Sequence, residues 1–100
     1  MVKHIILWTL KEMSEEEKIA VKAGIKSGLE GLKGKIPGLL EIKVVTEGRL
    51  ESSTADLMLD STFESFYALK AYSKHPEHVK VADEKVRPFT ASRACLDFEV

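Results

Sequence analysis

One hundred residues carrying 15 basic and 16 acidic side chains, for a formal net charge of −1, offer no electrostatic footprint for nucleic acid or an anionic membrane surface. Hydrophobic residues at 44% and charged ones at 31% suit one soluble globular domain over residues 1–100, and no apolar run approaches the roughly 18 residues of a membrane span. A chain this short buries only about two-thirds of its unfolded surface, so self-association is a natural supplement.

Val2 to Leu10 reads as a strand that is apolar on both faces in its middle. Val2, His4, Ile6, Trp8 and Leu10 share one face; Lys3, Ile5, Leu7 and Thr9 share the other. The apolar stretch is too short, and lacks a small-residue cleavage site, for a signal peptide. Ser14-Glu15-Glu16-Glu17 is a capping box with acids suited to a helix N-terminus. The spacing of Val21, Gly24, Ile25, Gly28, Leu29 and Leu32 predicts a helix running to about Lys33. Two glycines on its buried stripe cost roughly 1 kcal/mol each in helix propensity, which predicts close approach to a sheet. Gly34 and Pro37-Gly38 then stop and turn the chain.

Leu39 to Thr46 reads as a second strand with Leu40, Ile42 and Val44 on one face, and Ala55 to Phe63 as a third. Ser65 to Ser73 is a short helix with Phe66, Leu69 and Tyr72 inward. Pro76 and Glu77 open another helical turn, whose stripe is Val79, Ala82 and Val86 and which Arg87-Pro88 ends. Thr90 to Val100 is a last strand: Ala94, Leu96, Phe98 and Val100 face one way, Arg93, Cys95, Asp97 and Glu99 the other.

The order βαββαβ is the ferredoxin-like, split βαβ pattern of an α+β fold: an antiparallel sheet with helices on one face. The opposite face is expected to carry Ile5, Leu7, Met58 and Cys95 among Lys3, Lys43, Asp56, Asp60, Arg93 and Asp97. Covering those apolar groups calls for a second copy, sheet against sheet. Asp56, Asp60 and Asp97 would meet there; pairing with Lys3, Lys43 or Arg93 is the plainer use, and a hard cation the alternative. Cys95, the only cysteine, excludes an intrachain disulfide and reads as a small buried residue in a reducing, cytoplasmic setting.

The three histidines are the main chemical clue, since imidazole alone titrates near neutrality without perturbation. His4 lies in the first strand; His75 and His78 bracket Pro76-Glu77. His75 occupies a cap position. His78 sits at the start of a helical turn, where the dipole favours the neutral ring. With Tyr72 as a donor, His78 could act as a base beside a carbonyl group. The bland alternative is that Tyr72 and His78 tie the helix to the sheet by hydrogen bonds. No histidine or cysteine spacing makes a metal motif, and no cofactor motif is present.

Lys3-His4-Ile5-Ile6-Leu7, Lys35-Ile36-Pro37-Gly38, Thr62-Phe63-Glu64-Ser65, His75-Pro76-Glu77-His78-Val79 and Ser92-Arg93-Ala94 occur in this order. The ordered set strongly resembles the stress-responsive α/β-barrel family, Dabb, over essentially the whole chain. The resemblance implies a ferredoxin-like protomer that dimerises through its sheet into a barrel. Most members have no assigned biochemistry. One, olivetolic acid cyclase, closes a polyketide chain by an aldol-type step without a cofactor, and its catalytic positions match His4, Tyr72 and His78. The expected pocket lining is Ile6, Trp8, Val21, Ile25 and Leu59. The reading is cofactor-independent acid/base chemistry on a small apolar carbonyl compound, cyclase- or lyase-like. Its alternatives are a non-enzymatic dimeric binding or stress-protection module, with Trp8 filling the interior, and a cofactor-free monooxygenase-like enzyme.

Overall fold

The computed structural model describes residues 1–100. The elements are β1 (Val2–Leu10), α1 (Glu15–Glu30), β2 (Leu39–Val45), β3 (Leu57–Phe63), α2 (Phe66–Lys74) and α3 (Pro76–Val81). A π-helical turn (Ala82–Val86) continues α3, and β4 (Thr90–Glu99) closes the chain. All strand pairs are antiparallel, in the order β2-β3-β1-β4. This is the ferredoxin-like α+β fold anticipated from the element order.

Local chemistry sets the element ends. The Ser14 hydroxyl accepts from the Glu17 amide at 3.2 Å, and the Glu17 carboxylate accepts from the Ser14 amide at 3.4 Å, completing the capping box. The helix ends at Glu30, three residues before the expected Lys33, and turns lead to Gly34 with φ +87°. On the free edge of β2, the Lys26 ammonium donates to the Val44 carbonyl and the Glu30 carboxylate accepts from the Val44 amide, each at 2.9 Å. Those contacts satisfy edge groups that would otherwise invite another strand.

The core lies between the helices and one sheet face, where Ile6, Trp8, Val44, Leu59 and Phe63 meet Ile25, Leu29, Leu69 and Tyr72. Three details depart from expectation. A register shift between Leu39 and Glu41 turns Leu39 into the core and leaves Leu40 exposed, because a bulge resets the period of two. Gly28 makes room for a helix rather than the sheet: a Cβ there would lie 2.9 Å from Cγ1 of Val81 on α3. Phe66 is exposed, and only Leu69 and Tyr72 of its helix turn fully inward.

The largest correction concerns β4. Ile6 pairs with Cys95, His4 with Asp97 and Trp8 with Arg93, and antiparallel partners share a face. Arg93, Cys95 and Asp97 therefore point to the helix side, and Cys95 is exposed rather than packed in a core. Ala94, Leu96 and Phe98 join Ile5, Leu7 and Met58 on the outer face. The three aspartates consequently do not meet. Asp60 pairs with Lys3 at 2.5 Å, opposite Lys43. Asp56 accepts from the Leu10 amide at 2.8 Å, and Asp97 is on the other side of the sheet. The apolar pattern of β4 misleads because its greasier face is the one left uncovered in the lone protomer.

Candidate functional site

The helices cover β2, β3 and β1 but leave the inner side of β4 open. A cavity of about 460 Å³ results, bounded by β1, β4, α2, α3 and the π-helical turn. That volume suits a small organic ligand. Ile6, Trp8, Leu29, Leu59 and Leu69 supply its apolar surface. Trp8 forms part of the wall and does not fill the space, contrary to the filled interior expected of a purely structural module.

His4, Tyr72 and His78, far apart in sequence, all line this cavity. The Tyr72 ring is central: its centroid lies 4.1 Å from that of His78 and 6.1 Å from that of His4. Ser65 places α2 by accepting from the Ala68 amide at 3.1 Å, which sets Tyr72 facing the sheet. His75 caps α3, its Nδ1 accepting from the Glu77 amide at 3.1 Å, with Pro76 at the first helical position. That cap holds His78 in the first turn, where the sequence suggested a neutral ring. Of the remaining expected lining residues, Ile6, Trp8 and Leu59 face the cavity. Val21 and Ile25 do not; Ile25 is sealed in the core and Val21 packs against its edge. Leu29 is the residue that α1 contributes.

Two polar atoms in the cavity wall are buried without hydrogen-bond partners: the Tyr72 hydroxyl and His78 Nδ1. Buried polar groups are ordinarily paired, so two orphaned atoms on adjoining side chains that line one cavity are informative. They also argue against the bland reading, in which these two groups tie helix to sheet. Burial raises the Tyr72 pKa and keeps its phenol protonated. Burial also lowers the His78 pKa; the Ser73 backbone opposes this, and Arg87, His4 and Arg93 reinforce it. A neutral imidazole beside a protonated phenol is a base next to a hydrogen-bond donor.

Opposite them lies a group that linear spacing concealed. His4 Nδ1 is 2.5 Å from the Asp97 carboxylate, which fixes the ring. Cys95 Sγ lies 3.5 Å from the same carboxylate oxygen and 3.8 Å from His4 Nδ1. Desolvation, followed by the Asp97 carboxylate, pushes the Cys95 thiol up. These three donors are the group in the fold that could hold a metal ion. Arg93, two residues from Cys95 on the same face, also reaches the cavity. The signal for all of them was the parity of β4, which becomes decisive only once its register with β1 is known.

A ferredoxin-like α+β domain with a ligand-sized cavity between its helices and its edge strand is thus defined by fold and site. The model of the stress responsive A/B barrel domain, Dabb, matches residues 2–100, and the chain belongs to that family. An Arabidopsis thaliana stress-response A/B barrel domain-containing protein is 29% identical over 98% of this chain, which spans only 36% of that relative's length. A dimeric protein of unknown function and ferredoxin-like fold from Bacteroides fragilis is 34% identical, with a TM-score of 0.91 over 99% of this chain and 95% of its own. The hydroxynitrile lyase of Passiflora edulis superposes with a TM-score of 0.70 at 20% identity, over 97% of this chain and 90% of its own, a likeness of fold alone. No helix here is long and apolar enough to cross a membrane.

Proposed function

We propose that two copies of this chain pair through their outer sheet faces, and that each cavity binds a small, mainly apolar carbonyl compound and moves a proton on it without a cofactor. The Tyr72 hydroxyl donates to the carbonyl oxygen. The His78 imidazole removes a proton from the adjacent carbon, the electron pair shifts to that oxygen as an enolate, and the phenol holds the charge. His4, locked by Asp97, borders the ligand. Ile6, Trp8 and Leu59 supply apolar contact. The observation that carries the reading is the orphaned pair, Tyr72 hydroxyl and His78 Nδ1, in one apolar cavity. Pairing is supported by the exposed Leu7, Leu96 and Phe98 on the outer face and by the dimeric Bacteroides fragilis relative.

The test follows the histidine ring signals by NMR while a panel of β-diketones is added in deuterated water. The expected result is a shift of the His78 signal with at least one member, and deuterium entering that member's acidic carbon faster than in buffer. Tyr72→Phe and His78→Gln should slow this exchange at least tenfold while the fold persists. No shifted histidine and no exchange above buffer across the panel would refute the proposal.

A further inference from the structure

We infer that His4, Cys95 and Asp97 form a zinc-binding site in the wall of the cavity, with its open coordination position facing the cavity. The pairing of β1 with β4 builds this site. His4 and Asp97 are direct cross-strand partners, and Cys95 lies two residues along β4 on the same face. Their donor atoms fall within 4.8 Å of one another.

Four ligands at about 2.0–2.3 Å around tetrahedral zinc lie roughly 3.3–3.7 Å apart. The Cys95–Asp97 separation of 3.5 Å meets that spacing and the Cys95–His4 separation of 3.8 Å is close to it. Only the His4–Asp97 contact, at 2.5 Å, must open to admit the metal. Asp97 can give way: its side chain is 38% exposed on an edge strand, whereas His4 is fixed in the sheet.

Donor chemistry selects the metal. One thiolate, one imidazole and one carboxylate suit zinc or cobalt, whereas magnesium and calcium prefer oxygen alone. The two anionic donors balance a dication. Three protein ligands leave a fourth position, as in zinc sites that meet small molecules. Beside the site, the Tyr72 ring lines the same cavity with its centroid 6.1 Å from that of His4, and its buried hydroxyl has no partner within the fold. His78 and Tyr72 are not among the donors, but His4, Asp97 and the cavity are shared with the proton-transfer reading, and a metal there would replace the His4–Asp97 contact.

Cobalt is the test, because its visible spectrum reports coordination directly. The purified 100-residue chain, reduced and freed of metal by chelator, is titrated with Co²⁺ and then with Zn²⁺. One equivalent of Co²⁺ per chain should give intense tetrahedral d–d bands and a near-ultraviolet thiolate-to-cobalt band, and one equivalent of Zn²⁺ should abolish both. Cys95→Ala, at an exposed position, should remove the thiolate band while leaving the circular dichroism unchanged. Asp97→Asn should weaken binding at least tenfold. Absence of saturable binding, a spectrum without thiolate character, or full-affinity binding retained by Cys95→Ala would each overturn the inference. None of these readouts needs a carbonyl ligand, so the zinc site and the acid/base reading fail separately.

Discussion

Replacing Leu96 by lysine should separate the proposed dimer into folded protomers. Leu96 is 62% exposed on the outer face, opposite Ile5 and near Leu7 and Phe98. Full burial of a leucine side chain is worth about 1.5–3 kcal/mol, so covering the exposed part yields about 1–2 kcal/mol per copy. A symmetric interface counts the change twice, which makes the loss about 2–4 kcal/mol. That weakens dimerisation by roughly 30- to 1,000-fold. The new ammonium also joins Lys3 and Lys43 on this face. Sedimentation equilibrium at micromolar concentration should give twice the chain mass of 11.2 kDa for the native protein and that mass for Leu96→Lys. Far-ultraviolet circular dichroism should match, since β4 is an edge strand and lysine keeps its backbone pairing. Ile19→Lys, on an equally exposed position of α1, should leave the dimer intact. A native protein that sediments as a single chain, or a Leu96→Lys variant as tightly paired as the native one, would refute this account of the outer face.

The glycines of α1 should respond oppositely to alanine. Gly24→Ala meets only the Lys85 side chain at 3.9 Å and should stabilise by up to about 1 kcal/mol; Gly28→Ala meets Val81 at 2.9 Å and should destabilise by up to about 2 kcal/mol, both read from denaturant midpoints. Tyr72→Phe keeps the ring but removes the unpartnered hydroxyl, so thermal unfolding should show unchanged or higher stability, by about 1 kcal/mol, even as ligand exchange is lost. His78 makes stability depend on pH. The unfolded chain protonates it near the ordinary value of 6.5, while the folded chain resists until lower pH. Stability should therefore be full above that value and fall as pH drops through it. His78→Gln should flatten the fall, as measured by urea unfolding between mildly alkaline and mildly acidic buffer.

The fold was legible because β1, the capping box at Ser14, and the Ser65 and Pro76 helix starts depend on local spacing and cap chemistry. The convergence of His4, Tyr72 and His78 was legible through the resemblance of the ordered motifs, since no local rule brings a first strand to a helix junction. What escaped depended on register. A single bulge exchanged Leu39 for Leu40, and the face of β4 was assigned from hydrophobicity when pairing with β1 determines it. That error hid Asp97 beside His4 and placed Cys95 on the wrong side of the sheet. The partner of Gly28 was likewise invisible, because a close approach in sequence does not say what approaches.

β4 is one strand thick and serves two neighbours. Cys95 and Asp97 look into the cavity, while Ala94, Leu96 and Phe98, alternating with them, look out. A molecule that shifted the backbone of this strand from within would shift the outward set with it, since no layer intervenes. If the chamber binds a ligand and the proposed dimer forms, this shared ribbon predicts that each event reports on the other.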